Sequence, residues 1–412
     1  MRSRTRRACV VRQNDLYAVE VQREAEALAG AGFDVEVVCQ RAAGAPPREV
    51  VNGVQIVRLP MRRDYGRGKV GKALAYGGFF LLVAWYLSVQ HIRRPYAVVQ
   101  VISMPDFLVF SALVPKLFGS KVVAKMQEPT PELATTIFGP TFLTGVLARI
   151  EQWAIRFAHH TVTVTEQLKQ RYVERGAAAE RITVVLNCSD PYAMLPDQSC
   201  PPARTDQGFT VVCIGTIEDR YGQDTIIGAA SLLRDEMPDL QVVITGRGSG
   251  VDNMVRAISD RGVLDVVRFE GFVSLDRLRE ILCSADVGVV AQKSSPYSHL
   301  VHTNKMVDYW IFGLPVIASR LRAVSELYDG RFIEYYEPGD EADLAAAIRR
   351  LRADPERRAE LAENGKLAQS RNGWSTQRVA YLRVFEDLLG NVIVPDPPDQ
   401  PHPVGIAETA HE

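Results

Sequence analysis

The chain has almost no net charge, since 48 Lys and Arg residues stand against 49 Asp and Glu residues among 412, a formal net charge of −1. This balance gives no bulk electrostatic reason to expect a nucleic-acid-binding protein. A Gly-x-Ser-x-Gly turn, which would indicate a hydrolase, is missing from the sequence. The six cysteines form no Cys-x-x-Cys pair and no tight cluster, which predicts scattered reduced thiols and no disulfide or zinc framework: Cys9, Cys39, Cys188, Cys200, Cys213 and Cys283.

A long apolar run is also lacking. No stretch of signal-peptide length follows the basic start of the chain, so we expect a cytoplasmic protein. The longest apolar run, residues 73–89, contains two glycines and is shorter than the roughly 20 residues that a spanning helix needs. Basic residues flank it on both sides: Arg62, Arg63, Arg67, Lys69, Lys72, Arg93 and Arg94. Two interpretations stay open for residues 69–94, namely a helix lying on an anionic membrane surface and an ordinary buried helix.

Two series of short apolar strands alternating with helices fill the rest of the chain, and 47% of the residues are hydrophobic. This pattern predicts an α/β protein with two doubly wound, Rossmann-like domains facing each other across a cleft. The predicted strands lie near residues 8–11, 35–39, 54–59, 97–102, 121–126, 161–165, 182–186, 209–215, 240–245, 266–269, 287–290, 315–318 and 332–336. Ligands of such sheets bind beyond the carboxyl ends of the strands, so substrates would meet in the cleft.

Prolines and helical periodicity mark the predicted boundaries. The first domain covers residues 1–190, a linker with four prolines covers 191–208, and the second domain covers 209–374. A last helix, 375–390, is expected to cross back to the first domain. The tail, 391–412, holds five prolines and no core pattern, which predicts disorder.

The most informative segment runs from Thr303 to Ile317, where a polar loop enters a helix that ends at Gly313. Thr303 is suited to cap the helix, and the free N–H groups at such an end accept phosphate. Lys305 adds a full positive charge in the first turn. Asp308 lies one turn further on, where a carboxylate can accept hydrogen bonds from ribose hydroxyls, although a solvated helix residue is the alternative.

Two further loops follow predicted strands. In the first, Gly215 and Gly222 allow close approach of the backbone, and Arg220 offers planar paired donors for a diphosphate. The second, residues 245–250, is glycine-rich around Arg247 but lacks the lysine and hydroxyl order of a P-loop. Each loop alone is weak evidence, because a plain strand-to-helix turn has the same composition.

The order of these segments resembles the family 4 glycosyltransferases of the GT-B fold over residues 7–389. In the second half the resemblance rests on Val267–Val273, Leu278–Val290 and Asn304–Ile317. In the first half Val184–Asp190 resembles the end of a strand before the linker. Two further stretches, Met104–Leu108 and Pro129–Leu133, resemble a subgroup of the family that makes bacterial exopolysaccharides and cell-surface glycans.

The resemblance implies retaining transfer of a sugar from a nucleotide-diphosphate sugar, with UDP as the first candidate and GDP as its rival. Glycans, lipid-linked molecules and small molecules are the acceptor candidates, and no metal or other cofactor is expected. Arg220, Lys305 and Asp308 take the catalytic roles. The implied donor-binding residues are Gly215, Thr216, Arg220, Gly246, Arg247, Phe272, Val273, Thr303, Asn304, Lys305 and Asp308, and the acceptor-side residues are Asn14, Asp15, Gln127 and Glu128.

The sequence departs from the family pattern at five places. Leu300 occupies the first of two acidic positions, and Asp308 is a shorter acid at the second. Thr216 replaces an arginine, and Gln127-Glu128 stands where a histidine–aspartate pair is usual. The glycine-rich first loop is replaced by residues 13–17. These departures keep two alternatives open: a catalytically impaired GT-B protein that binds sugar nucleotides or acts as a scaffold, and a sugar-nucleotide epimerase.

Two histidines, His299 and His302, are three residues apart. No third ligand stands nearby with a metal-binding pattern, so the sequence predicts solvent-exposed loop histidines.

Overall fold

A computed structural model describes residues 6–13, 19–42, 44–61, 69–189, 191–195, 200, 208–390, 392 and 394. Within them the chain forms two α/β domains, each built on a mainly parallel sheet, which confirms the predicted fold class. Asn14 and Asp15, predicted on the acceptor side, lie outside the described residues. So do the tail, apart from residues 392 and 394, and most of the linker.

The first sheet has eight strands in the order β3-β4-β2-β1-β5-β6-β7-β8. Most of its residues are buried, as expected for strands covered by helices on both faces. The strands are β1 Arg7–Val11, β2 Asp34–Gln40, β3 Arg48–Val51, β4 Val54–Leu59, β5 Val98–Ile102, β6 Lys121–Met126, β7 His160–Thr163 and β8 Ile182–Val184.

Strand β3 is not predicted by the sequence pattern. It pairs with β4 in the antiparallel direction at the edge of the sheet, and its residues are alternately exposed and half-buried. An edge strand with one solvated face carries charged residues such as Arg48 and Glu49, so it lacks the apolar run by which the other strands are recognised.

Within the described part of the chain, seven α-helices belong to the first domain and to the start of the linker, together with 3-10 helices at Asp106–Ala112 and Ala179–Arg181. They are α1 Val19–Gly30, α2 Lys69–Arg93, α3 Leu113–Leu117, α4 Thr130–Phe138, α5 Phe142–Phe157, α6 Glu166–Glu174 and α7 Pro191–Met194.

The second sheet has six parallel strands in the order β11-β10-β9-β12-β13-β14. They are β9 Phe209–Ile214, β10 Leu240–Thr245, β11 Val267–Phe269, β12 Val287–Val290, β13 Val316–Ser319 and β14 Glu334–Tyr336. The helices are α8 Gln223–Leu233, α9 Val251–Asp260, α10 Leu275–Cys283, α11 Asn304–Ile311, α12 Arg322–Ser325, α13 Glu341–Ala353, α14 Pro355–Asn372 and α15 Trp374–Leu389.

Helix α2 is longer than the apolar run that marks it in the sequence. Among the described residues one stretch, Leu74–Arg93, has the length and composition of a membrane-crossing helix, so length does not exclude spanning. One face of α2 is buried in the core of the first domain through Phe79, Val83 and Leu87. The opposite face is exposed, with Leu81 at 67% and Trp85 at 64% accessibility. The helix therefore has both a core-facing side and an uncovered apolar side.

Helix α15 crosses back and completes the core of the first domain, as predicted. Tyr381 and Phe385 pack in the same cluster as the residues of β1 and β2. The hydroxyl of Tyr381 donates to Gln100 Oε1 at 2.8 Å, and Gln100 Nε2 donates to Glu24 Oε2 at 2.8 Å. Glu24 is paired in turn with Lys125, and both ionic side chains are fully buried.

The cysteine prediction is wrong for one pair, because Cys200 and Cys283 are joined in a disulfide across 83 residues. Met194, in the described part of the linker, lies against α10, because its carbonyl accepts a hydrogen bond from Arg279 at 2.8 Å. Such a contact leaves no local spacing signal in the sequence. The other four cysteines are buried free thiols. Disulfides are rare in a reducing cytosol, so there the pair is expected as two adjacent thiols.

Replacing Lys125 with Met should destabilise the protein, because it leaves the Glu24 carboxylate buried without its cation. The expected loss is about 3–5 kcal/mol in the free energy of unfolding, measured by denaturant titration. A second change, Glu24→Gln, removes the stranded charge and should recover most of that loss. A double variant as unstable as Lys125→Met alone would contradict the assignment of the loss to the unpaired charge.

Candidate active site

The carboxyl ends of the central strands of both sheets face one another across the cleft. A cavity of about 310 Å³ lies there, with walls from both domains. The first domain contributes Gln127, Glu128, Val164 and Asn187, and the second contributes Gly215, Thr216, Tyr221, Gln292, Tyr297, Val301, His302, Thr303, Asn304 and Lys305. Seven predicted site residues are therefore brought together here: Gly215, Thr216, Thr303, Asn304, Lys305, Gln127 and Glu128.

Helix α11 presents its amino end to this cavity. The hydroxyl of Thr303 accepts a hydrogen bond from the backbone N–H of Lys305 at 3.4 Å, which is the predicted cap. The helix is held in place by Tyr309, whose hydroxyl accepts from the N–H of Ile214 at 3.1 Å and donates to the carbonyl of Val289 at 3.2 Å. The helix end is thus fixed against the ends of β9 and β12, and its remaining N–H groups give the cavity a positive wall.

The side chain of Lys305 extends over the end of β9. A Cβ atom at Gly215 would lie 2.8 Å from Lys305 Cε, and Gly215 has a φ angle of +105° that side chains rarely adopt. Burial lowers the pKa of Lys305, while Cys213 and Asp308 oppose this effect. The ammonium group lies 4.5 Å from the centroid of the Tyr221 ring. Lys305 is therefore a partly desolvated cation at the amino end of a helix, and this arrangement suits an anionic ligand.

Arg220 lies next to the cavity and does not line it. Its guanidinium is 4.9 Å from the Tyr221 ring centroid and donates to Glu218 Oε2 at 2.8 Å. It lines an adjoining cavity of about 360 Å³, together with Glu218, Asp224 and the neighbouring α9. The ring of Tyr221 therefore contacts two cations: Lys305, which lines the cleft cavity, and Arg220, which lines the adjoining cavity.

Asp308 also lies outside the cavity wall, one turn further along α11. Its Oδ1 accepts a hydrogen bond from the hydroxyl of Ser189, at the end of the first domain. Burial raises the pKa of Asp308 to about 6, and the Ser189 hydrogen bond and the charge of Lys305 both oppose that rise. Ser189 was not predicted as a site residue, although it belongs to the strand-end motif at residues 184–190.

The glycine-rich loop after β10 packs tightly on the loop after β9. A Cβ atom added to Gly246 would lie 1.7 Å from the carbonyl oxygen of Gly215, and one added to Gly248 would lie 2.0 Å from the carbonyl oxygen of Ile217. Arg247 stacks over the ring of Phe272 at 4.3 Å, and Phe272 is 68% exposed. With Val273, these predicted donor-binding residues form a separate surface that does not contribute to the cavity wall.

The segment between β12 and α11 is anchored on the first domain. Leu300, at the predicted first acidic position, is 3% exposed and packs in the core cluster of the first domain. Its carbonyl accepts from Thr165 Oγ1 at 2.6 Å, and the hydroxyl of Tyr297 donates to Glu128 Oε2 at 2.6 Å. The sequence gives no sign of these contacts, because they join elements 135 and 169 residues apart.

The prediction of exposed histidines is wrong for His302, which is 5% exposed and lies in the cavity wall. Its ring lies 5.8 Å from that of Tyr328, and burial lowers its pKa to about 4. His299 is partly exposed and contacts Ser294 Oγ at 2.9 Å and the N–H of Arg322 at 3.2 Å. Nothing in the spacing of the two histidines distinguishes the buried one.

Comparison with known families gives a match for each domain. Residues 17–188 match the family described as "Glycosyl transferase 4-like domain", and residues 208–354 match "Glycosyl transferases group 1". A curated relative from Paenarthrobacter aurescens, a "D-inositol 3-phosphate glycosyltransferase", is 26% identical over 260 residues, which are 60% of this chain and 61% of the relative. The chain thus spans about three fifths of the length of the curated relatives it matches first.

Solved structures support the fold. The sucrose-phosphate synthase of Thermosynechococcus elongatus superposes with a TM-score of 0.75 at 17% identity, covering 93% of this chain and 99% of that one. HepE of Anabaena, solved with UDP and glucose, gives a TM-score of 0.69 at 16% identity with the same two coverages. Both similarities extend over nearly the whole length of the two solved chains.

The raised pKa of Asp308 predicts a pH dependence of stability. Its folded pKa of about 6 exceeds its ordinary 3.8, so the folded state binds the proton more tightly and loses stability as pH rises from about 4 to about 6. The loss is at most about 3 kcal/mol, and Asp308→Asn should remove it. Denaturant titrations at pH 4.5 and 7.5 measure the slope, with Asp276→Asn at an exposed site as control. An unchanged slope in Asp308→Asn would contradict the assignment.

Proposed function

Because the chain belongs to the GT-B glycosyltransferases of family 4 type, we propose that it is a retaining enzyme. It moves a sugar from a nucleotide-diphosphate sugar to the hydroxyl of a glycan, a lipid-linked molecule or a small molecule. The observation that supports this best is the position of Lys305, a partly desolvated ammonium at the capped amino end of α11, in a cavity between the domains. Departure of the nucleoside diphosphate is the difficult event, and a fixed cation with helix N–H groups stabilises the charge that develops there.

Each candidate donor-binding residue has a proposed role. Lys305 binds the diphosphate, and the Tyr221 ring keeps its ammonium aimed at the cavity. Arg220 approaches the same phosphates from the other side of that ring once it leaves Glu218. Asp308 exchanges its hydrogen bond with Ser189 for ribose hydroxyls. Arg247 stacked on Phe272 offers a flat, exposed surface for the base.

The acceptor enters from the first domain, where Gln127 and Glu128 line the cavity. The acceptor hydroxyl oxygen forms a bond to the anomeric carbon as the bond from that carbon to the phosphate oxygen breaks, and the leaving phosphate takes the proton of the hydroxyl. UDP is the first nucleotide to test, a choice supported by the complex of HepE with UDP and glucose, and GDP is the second. The proposed mechanism needs no metal, because Lys305, Arg220 and the helix end supply the positive charge.

A second function is favoured by one observation. Leu300 replaces the first acidic residue of the family pattern and is buried in the first domain, away from any substrate. A protein that binds sugar nucleotides without transferring the sugar is therefore the alternative. Incubation with radiolabelled nucleotide sugars in EDTA distinguishes the two, because a metal-independent transferase releases sugar at least slowly by hydrolysis and the binding protein releases none.

Removing the donor-binding groups should weaken nucleotide binding. We expect Lys305→Met, Arg220→Ala and Asp308→Ala each to reduce the affinity for UDP at least tenfold, or about 1.4 kcal/mol. Isothermal titration of the purified variants measures this, after a thermal-shift panel of nucleoside diphosphates has identified the nucleotide that stabilises the wild type. The matched control is Lys366→Met, an exposed lysine paired with Glu363. Unchanged affinity in all three variants would refute the site.

We also propose a cytoplasmic location with peripheral attachment to an anionic membrane surface. Exposed apolar residues form a stripe along α2, made of Leu74, Leu81, Trp85 and Ile92. Helix α5 carries Trp153 exposed between the exposed Arg149 and Arg156 on one face. The 3-10 helix Asp106–Ala112 packs against both α2 and α5, with ring pairs at 5.9 and 5.2 Å, so the two helices are neighbours on the first domain. Aromatic residues beside arginines suit the headgroup region of an anionic bilayer.

Placing acidic residues on this face should abolish membrane attachment. The double variant Leu81→Asp/Trp85→Asp is expected to stay in solution under conditions in which the wild type sediments with phosphatidylglycerol vesicles. Both side chains are exposed, so folding should be unaffected, whereas Phe79 is buried and is left unchanged. Leu232→Asp, at an exposed leucine of the second domain, is the control. Equal sedimentation of the double variant and the wild type would refute attachment through α2.

A further inference from the structure

Several polar atoms in the wall of the cleft cavity have no hydrogen-bond partner among the residues that the structure describes, although they are shielded from solvent. They are both ring nitrogens of His302, Oδ1 of Asn304, Oδ1 of Asn187 and Nε2 of Gln127. A buried polar group without a partner costs about 1–3 kcal/mol, so most are satisfied in folded proteins. Four such side chains around one cavity indicate that a polar ligand completes this wall.

His302 is the most informative of the four. Its imidazole is 5% exposed and lies against the ring of Tyr328, and no nearby charge contributes to its lowered pKa. It is therefore neutral at physiological pH. A neutral imidazole offers one donor and one acceptor, which matches a hydroxyl group, whereas a phosphate needs donors only. The chemistry of His302 thus points to a hydroxylated ligand.

The position of His302 separates it from the proposed phosphate-binding group. It stands three residues before Lys305, on the loop that approaches α11, and Asn304 lies between them with its own unpartnered oxygen. Leu300, two residues earlier, is directed into the first domain and cannot contact the cavity's contents. The Thr303 hydroxyl caps α11, so His302 and Asn304 are the polar side chains between Leu300 and Lys305 that are left to contact the part of the donor beyond the diphosphate.

We propose that His302, assisted by Asn304, binds hydroxyl groups of the sugar being transferred and thereby sets which donor sugar the protein accepts. This inference rests on the proposed function, which supplies the nucleotide sugar. His302 is a specificity-determining residue in this scheme, and Lys305 holds the diphosphate that all such donors share. The contributions of His302 and Lys305 to the affinity are therefore separable, because a nucleoside diphosphate without its sugar contacts Lys305 and does not contact His302.

The test compares UDP with UDP-glucose, and GDP with GDP-mannose, by isothermal titration on the full chain. His302→Phe keeps a ring against Tyr328 and removes both nitrogens. We expect its affinity for the nucleotide sugar to fall at least tenfold while its affinity for the nucleoside diphosphate changes less than twofold. His302→Gln restores one donor and one acceptor and should recover part of the loss. His299→Gln, in the same loop, is the control and should behave as the wild type.

Thermal unfolding of the unliganded variants separates a binding role from a structural one. Replacing an unpartnered buried imidazole with an apolar ring should leave the midpoint unchanged or raise it. The inference is overturned if His302→Phe lowers the affinities for the nucleoside diphosphate and the nucleotide sugar equally, or lowers neither. It is also overturned if the wild type binds the nucleotide sugar no more tightly than the nucleoside diphosphate. A wild type that binds no nucleoside diphosphate at all contradicts the proposed function itself, which is a different result.

Discussion

The geometry of the cleft depends on the burial of Leu300 of the second domain in the core of the first, beside the hydrogen bonds that also join the two domains. Full burial of a leucine contributes about 1.5–3 kcal/mol, and the Thr165 and Tyr297 hydrogen bonds fix its direction. The loop that follows leads straight into α11, so the anchor also sets where the helix end and Lys305 lie relative to Glu128. The residue that breaks the family pattern thus joins the two walls of the site.

Two charged groups on α11 are kept in a partly desolvated state by this arrangement. Burial acts on them in opposite directions, lowering the pKa of Lys305 and raising that of Asp308. The charge of each group partly opposes the pKa shift that burial causes in the other, and Ser189 donates a hydrogen bond to the carboxylate. A ligand that brings negative charge to Lys305 and hydroxyl donors to Asp308 relieves both groups at once, whereas a ligand with only one of these features leaves the other group desolvated.

Most of the fold could be predicted from the sequence, because apolar runs and helical periodicity report burial directly. The cap at Thr303 and the helix after it were predictable for the same reason, since capping is a local interaction. Contacts between distant segments were not, and this explains the missed pairing of Cys200 with Cys283 and the missed burial of His302. Arg220 shows a further limit, because the sequence places it next to Tyr221 and near Glu218 but does not show that its guanidinium pairs with Glu218 and lines the adjoining cavity.

Helix α15 has a consequence for the order in which the protein is made. The first domain leaves the ribosome before Tyr381 and Phe385, which close its core but follow the whole second domain in the chain. Until then the apolar face that receives them is open, and the buried network at Gln100 lacks its tyrosine. The nascent first domain therefore cannot reach its final packing before α15 has been synthesised, and its open apolar face is prone to aggregation until then.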